Sequence, residues 1–371
     1  MKRVQIFNYA DESIGRKEMS FTIMSMMIGI GILTLPRSIA SFTRFSDGWI
    51  SLLAGGFIAA GLALVLAFLT IRMDKDNFYR YASKTITKPF AALVTAVVSL
   101  YFVLFCGYET RAIASISKQY LFERTPVEAV ACAFLIVVIY AVAGSRIGII
   151  RLNALFLPLV LVIAVLLLAF SSGNIRSDEM RPMFASSLPG LAAGTRETMF
   201  SLLGFEVLLF YGSMLRNRRD ALPAAVTGVA VPVLLYLAIY LVCIGVFSQE
   251  ALRNVTYPAI ELAKEAKIPG EFFERFESVF FIIWIMTIYN TTCMALDIAC
   301  ESLRMLFGLA RSPLHPMLLA PIVFWIGMAP RNVAEFAALG KFVSYLGIAA
   351  VIAMPCIILT ISLLRGVKAD G

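Results

Sequence analysis

Gly29-Ile30-Gly31-Ile32-Leu33-Thr34-Leu35-Pro36 interrupts the first apolar segment of this chain. Phe200-Ser201-Leu202-Leu203-Gly204-Phe205-Glu206 interrupts the sixth. Glycine and proline inside a membrane helix free backbone N–H and C=O groups, and unwound backbone is tolerated there only where it faces protein or a polar cavity. Paired breaks, one in each half of a chain, are the sequence sign of a midplane ligand site in inverted-repeat transporter folds. The two stretches therefore predict an all-α integral membrane protein of ten transmembrane helices, with helices one and six broken, built as two five-helix halves of opposite topology.

Composition agrees. The 371 residues are 60% hydrophobic and 15% charged, where a soluble domain carries about 25% charged residues. Apolar runs long enough to span a bilayer are expected at 19–41, 48–71, 90–118, 127–143, 149–170, 192–213, 223–247, 276–299, 314–329 and 344–364. They read as a single polytopic domain over 1–371, with halves at about 19–170 and 192–364. The net charge of +8 comes from Lys and Arg in short loops, which is a membrane-topology signal rather than a nucleic-acid one. Their bias puts both termini on the cytoplasmic side. Lys2, Arg3, Arg16 and Lys17 precede the first segment, which reads as a retained helix rather than a signal peptide.

Enzyme signatures are lacking: there is no phosphate-binding glycine loop, no H-E-x-x-H and no nucleophile elbow. The cysteines at 106, 132, 243, 293, 300 and 356 have no C-x-x-C spacing and read as small core hydrophobes. His315, between Pro313 and Pro316, reads as a segment-boundary residue. No cofactor, metal or catalytic residue is expected.

The polar groups inside the apolar segments are the candidate site. Gly29 and Gly31 bring bare backbone to a cavity, or else let a neighbouring helix approach closely. Half-helix ends offer N–H groups to an anion and carbonyls to a cation, a geometry suited to a zwitterionic amino acid. Ser201 and Gly204 play the same part in the sixth segment. Glu206 is either a functional intramembrane carboxylate or the cap of the unwound turn. Tyr101, Phe105 and Tyr108 lie on one face of segment three, as core or as ligand box. Glu109 and Arg111 project from different faces and are expected to pair with other helices, with Arg196 and Glu197 as possible partners. Thr287, Asn290, Thr291 and Thr292 form a polar cluster in segment eight, which interhelical hydroxyl packing also explains. Pro258–Lys264 begins a short amphipathic piece, ending before Pro269-Gly270, that could cover the site.

The breaks, with Gly204-Phe205-Glu206, resemble the amino acid–polyamine–organocation superfamily, whose members share the LeuT-like fold. A narrower resemblance runs along nearly the whole chain. Met27-Ile28-Gly29-Ile30-Gly31-Ile32-Leu33-Thr34-Leu35-Pro36-Arg37, Asp47-Gly48-Trp49-Ile50, Tyr108-Glu109-Thr110-Arg111-Ala112, Glu123-Arg124-Thr125-Pro126, Arg181-Pro182 and Glu274-Arg275-Phe276-Glu277-Ser278 are similar to landmarks of the B subunits of GerA-type spore germinant receptors. The resemblance implies a nutrient sensor in the spore inner membrane, associated with an A subunit and a lipoprotein C subunit, and with ligands such as L-amino acids. By family position, the pocket falls on Gly29, Gly31, Phe105, Leu203, Gly204 and Thr291. Ile30 stands at the centre of the first break, where many transporters place a small residue. Segment five lacks the membrane-embedded lysine of some proton-coupled relatives, which weighs against coupled transport. A secondary amino-acid transporter using the same pocket is the rival expectation.

Overall fold

The structure, a computed structural model, describes residues 13–74, 76–266 and 276–366. Lys2, Arg3, Pro269-Gly270 and Glu274-Arg275 lie outside the described residues. Helices run in the order α1 (Arg16–Met27), α2 (Gly31–Phe42), α3 (Gly48–Met73), α4 (Phe78–Thr85), α5 (Lys88–Tyr120), α6 (Val127–Ala143), α7 (Arg146–Ser171) and α8 (Leu188–Ser201). The second part adds α9 (Leu208–Tyr211), α10 (Ala221–Phe247), α11 (Gln249–Asn254), α12 (Pro258–Glu265), α13 (Phe276–Phe307), α14 (Leu314–Met328), α15 (Val333–Gly347) and α16 (Met354–Arg365). Among the described residues the regular structure is helical, apart from one isolated bridge between Ile14 and Leu215.

Local chemistry sets several helix starts. The side chains of Asn77, Ser145, Ser187 and Asn332 each accept a hydrogen bond from an amide in the first turn of the helix that follows, at 2.8, 2.9, 3.3 and 2.9 Å. Each satisfies one of the N–H groups that a helix start leaves free. The helices α3, α5, α7, α10 and α13 are long and apolar enough to cross a bilayer. So is the combined α15–α16 span, which passes through a π-helical segment at Ile348–Ala353. Large apolar side chains such as Phe57, Trp325 and Leu364 face outward, as expected of a multi-pass membrane protein whose solvent is lipid.

Helices lie over the expected segments with shifted ends, although those at 127–143 and 314–329 and the pieces of the sixth are shorter than a full span. The eighth runs on to Phe307 and the tenth begins at Val333. The first break is narrower than the glycine–proline stretch suggested. The chain unwinds at Ile28–Ile30, and α2 leaves α1 at a bend of 53°. Pro36 sits inside α2 without ending it, since membrane helices tolerate proline where neighbours satisfy the freed groups. The second break falls where expected. α8 stops at Ser201, Gly204 takes φ +139°, and a 3-10 turn at Phe205–Val207 leads into α9.

Two other features hold the frame. The family landmarks at Asp47 and Arg181-Pro182, far apart in sequence, meet at one end of the bundle. The buried Asp47 carboxylate accepts the amides of Phe184 and Ser186 at 2.6 and 2.7 Å. Trp49 meets Phe184 edge-on at 6.5 Å. Near the other end of α13, Asp297 accepts from Arg146 Nε at 2.8 Å, Tyr211 Oη at 3.0 Å and Arg311 Nη2 at 3.4 Å. Glu301 joins through Arg304 at 2.6 Å and Arg146 at 3.8 Å. This network ties α7, α9, α13 and the turn before α14. Removing the mostly buried Arg146, which both acids share, would leave buried carboxylates short of a partner, a loss of about 3 kcal/mol.

Candidate functional site

The two breaks pack directly on each other. A Cβ built on Gly204 would stand 2.8 Å from the Met27 nitrogen and 2.9 Å from the Met26 carbonyl carbon. Only a residue without a side chain admits this contact, and the left-handed φ demands glycine as well. A Cβ on Gly31 would lie 2.8 Å from Tyr236 Oη and 3.1 Å from the Ser201 carbonyl oxygen. Tyr236, from α10, donates to the Met27 carbonyl at 3.0 Å, with the Ser201 carbonyl 3.5 Å away. One phenol thus serves freed carbonyls at the ends of both α1 and α8.

Glu206 closes the second break. Its Oε2 accepts the Gly204 amide at 2.6 Å and its Oε1 accepts the Tyr101 hydroxyl at 3.1 Å. Of the two roles left open for this carboxylate, the geometry is that of the cap. Tyr101 also carries the ring against which Gly347 packs, at the point where α15 passes into its π-helical continuation.

The first break is lined from α5 and α13. Thr291 Oγ1 donates to Glu109 Oε2 at 3.3 Å, and the hydroxyl also lies 2.8 Å from the Ile288 carbonyl. A Cβ at Gly29 would meet Thr291 Cγ2 at 3.6 Å, and Glu109 Oε1 and the Met26 carbonyl oxygen each at 3.8 Å. These are ordinary contact distances, so the space beside Gly29 is the size of a methyl group. Glu109 is completely buried. The Ile30 amide lies near its carboxylate, yet Oε1 completes no hydrogen bond of good geometry among the described residues.

The expected site residues divide accordingly. Gly29, Ile30, Glu109 and Thr291 gather at the first break, while Gly31, Ser201, Gly204 and Glu206 gather where the breaks meet. Leu203 faces Gly347, and Phe105 lies beside Tyr101 with ring centroids 6.2 Å apart. Gly31, Ser201, Leu203 and Phe105 keep some exposure, whereas Gly29, Ile30, Gly204 and Thr291 are buried.

Two expectations are corrected. Tyr108 stacks on Phe336 of α15 at 4.7 Å, nearly parallel, and covers Gly340. Its position one helical turn from Phe105 carries it to the α15 contact rather than to the breaks. Arg111 reaches Met328 Sδ at 3.9 Å, and the partners suggested for it and Glu109 pair with each other, Arg196 to Glu197 at 3.5 Å. Adjacent helical faces sent the two charged residues to different neighbours.

Sequence reasoning missed Tyr236 and the Asp297 network. A tyrosine in an apolar run has no spacing signature. Asp297, by contrast, is an acid inside a predicted span, which is itself a signal. The short amphipathic piece is the helix α12, which buries Pro258, Ala259, Ile260, Leu262 and Ala263. It is pinned by Tyr120 Oη donating to Glu261 at 2.8 Å, with Lys264 over the same ring at 4.6 Å.

A membrane bundle with two interrupted helices facing each other defines a class, the LeuT-like fold. Solved structures bear this out. One is Mhp1, a nucleobase-cation-symport-1 family transporter in a closed conformation with bromovinylhydantoin bound. It superposes with a TM-score of 0.70 at 14% identity, covering 96% of this chain and 80% of that one. MhsT in complex with L-phenylalanine gives a TM-score of 0.66 at 19% identity, covering 95% and 90%. Within that class the chain belongs to the spore germination protein family, as a B subunit of the GerA type: the family profile of that description matches residues 13–336. Spore germination protein GerLB of Bacillus cereus is 40% identical over 96% of both chains. Spore germination protein YndE of Bacillus subtilis (strain 168) is 28% identical over 92% of this chain and 93% of its own.

Proposed function

We propose that this chain is the ligand-sensing subunit of a spore germination receptor. It binds a small nutrient, an amino acid with a modest apolar side chain, between the broken helices, and it signals by a change of conformation. The observation that carries the reading is the contact between the two breaks, Gly204 on Met26–Met27 and Gly31 on Ser201. A ligand seated beside that contact, at Gly29, touches both half-helix pairs at once, so it binds closed and open arrangements with different affinity. Differential affinity is the only means by which a ligand shifts such an equilibrium.

In this reading Gly29, Ile30, Gly31, Phe105, Ser201, Leu203, Gly204 and Thr291 surround the ligand, and Glu206 holds the second break in shape. The whole chain acts as one polytopic domain in the spore inner membrane, with both termini on the core side. An A subunit and a lipoprotein C subunit receive the signal. The bound L-phenylalanine of MhsT supports the ligand class, since that protein shares the fold.

The test is binding of an amino-acid panel to the purified full-length chain, together with flux into proteoliposomes. Saturable binding without uptake is the expected result. Saturable uptake driven by the ligand would favour the rival reading of a secondary transporter, and absence of binding by every nutrient tried would sink the sensing role.

A further inference from the structure

Glu109 is a fully buried carboxylate with one oxygen left open. Such a group is costly unless something pairs with it. No Lys, Arg or His among the described residues forms an ion pair with it. Arg111, the nearest cation in sequence, reaches Met328 instead. Thr291 donates to the other oxygen at 3.3 Å while also lying 2.8 Å from the Ile288 carbonyl, and the Ile30 amide lies beside the carboxylate, so no charged partner and little hydrogen bonding offset its burial.

The open oxygen faces a space. The methyl-sized volume beside Gly29 is bounded by Glu109 Oε1, the Met26 carbonyl oxygen and the Thr291 methyl group. An ammonium group has the size of a methyl group. It carries three donors and no acceptor, and two of the three bounding atoms are acceptors. Size and hydrogen-bonding character therefore select the same group.

We propose that Glu109 is the counter-ion for the cationic amino group of the ligand, lodged beside Gly29. This rests on the reading of the breaks as the ligand site, and it deepens that reading by naming the ligand chemistry: a protonated primary amine, with the carboxylate directed away from Glu109. It makes Glu109 a specificity-determining residue rather than a helix-pairing one. Neutral analogues that keep the rest of the molecule are then discriminated against at this one point.

The experiment measures binding to the full-length chain in nanodiscs for L-alanine, L-valine and L-leucine, each beside the 2-hydroxy acid that replaces its ammonium by a hydroxyl. The wild type is expected to bind at least one amino acid about tenfold or more tightly than its hydroxy acid, in keeping with a hydrogen bond to a charged group. Glu109→Gln keeps the shape and an acceptor for Thr291, and it should lose most of that discrimination while its thermal unfolding stays close to wild type. Gly29→Ala fills the same space at ordinary contact distances, so it should fold normally and lose amino-acid binding. If Glu109→Gln binds and discriminates as the wild type does, the ammonium assignment is overturned and the ligand site stands. Binding of a neutral sugar or nucleoside in place of every amino acid overturns it in the same way. Binding of no nutrient overturns both readings together.

Discussion

The break at Gly204 closes on itself, whereas the break at Gly29 is completed by other helices. In the second break Glu206, two residues along, takes the freed Gly204 amide, and Tyr101 braces the same carboxylate. In the first, the freed Met27 carbonyl accepts from Tyr236 of α10, and the surrounding side chains are Glu109 of α5 and Thr291 of α13, whose hydroxyl donates to that carboxylate. The Glu206–Gly204 bond lies within one turn and needs no other helix. A turn finished by three other helices changes whenever they shift. The difference is one of construction, a turn capped from within against a turn completed from outside, and substitutions can break or sharpen it.

The largest effect is expected at Gly204. Gly204→Ala places a side chain at φ +139° and drives it into the Met26–Met27 backbone. It should cost about 3 kcal/mol or more, because strain and overlap add. Size-exclusion profiles of detergent-solubilised protein should show loss of the folded species. A normal profile would mean that the turn can be built another way.

Glu206 comes next. Glu206→Leu leaves the Gly204 amide and the Tyr101 hydroxyl without their acceptor, at about 1–3 kcal/mol for each stranded group. Glu206→Gln retains an acceptor and should keep much of the stability and response. Equal loss in both variants, read by thermal unfolding and by nutrient dose–response, would show that charge rather than capping is required.

Gly31→Ala should be milder, about 1–3 kcal/mol, because its nearest obstacle is a hydroxyl on a side chain rather than backbone. Adding Tyr236→Phe removes that hydroxyl. The double variant should therefore recover part of the lost melting temperature, although the bond to Met27 is gone. Additive destabilisation in the double variant would show that Ser201, not Tyr236, limits the space.

Tyr108→Phe should have the smallest effect, below about 0.5 kcal/mol, since the stack on Phe336 survives. Its dose–response curves should overlay those of the wild type. A displaced curve would return Tyr108 to the ligand's surroundings.

The breaks were legible in the sequence because glycine at 29, 31 and 204 has a physical meaning that no neighbour is needed to supply. The all-helical class and the order of the long apolar helices were legible for the same reason, since apolar length is a property of a segment. Pro36 misled because a proline's cost depends on who takes the freed carbonyl. Tyr108 misled because a helical face is shared between the ligand region and a neighbouring span, and periodicity cannot separate them. Glu109 was visible as an intramembrane acid, but its partner was not. The pairing of Thr291 with Glu109 spans 182 positions and exists only once α5 and α13 are packed.

The isolated bridge before α1 has a mechanical consequence. Ile14 donates its amide to the Met214 carbonyl at 2.8 Å, and the Arg216 amide returns to the Ile14 carbonyl at 3.0 Å. These bonds rivet the chain entering α1 to the chain leaving α9. Two half-helices on opposite sides of their respective hinges thereby share one handle. In the proposed reading a tilt of α1 pulls on α9 through these two bonds, as a crank pulls on a coupled rod. The motion that a small molecule starts at the hinges would then leave the membrane as one stroke rather than two.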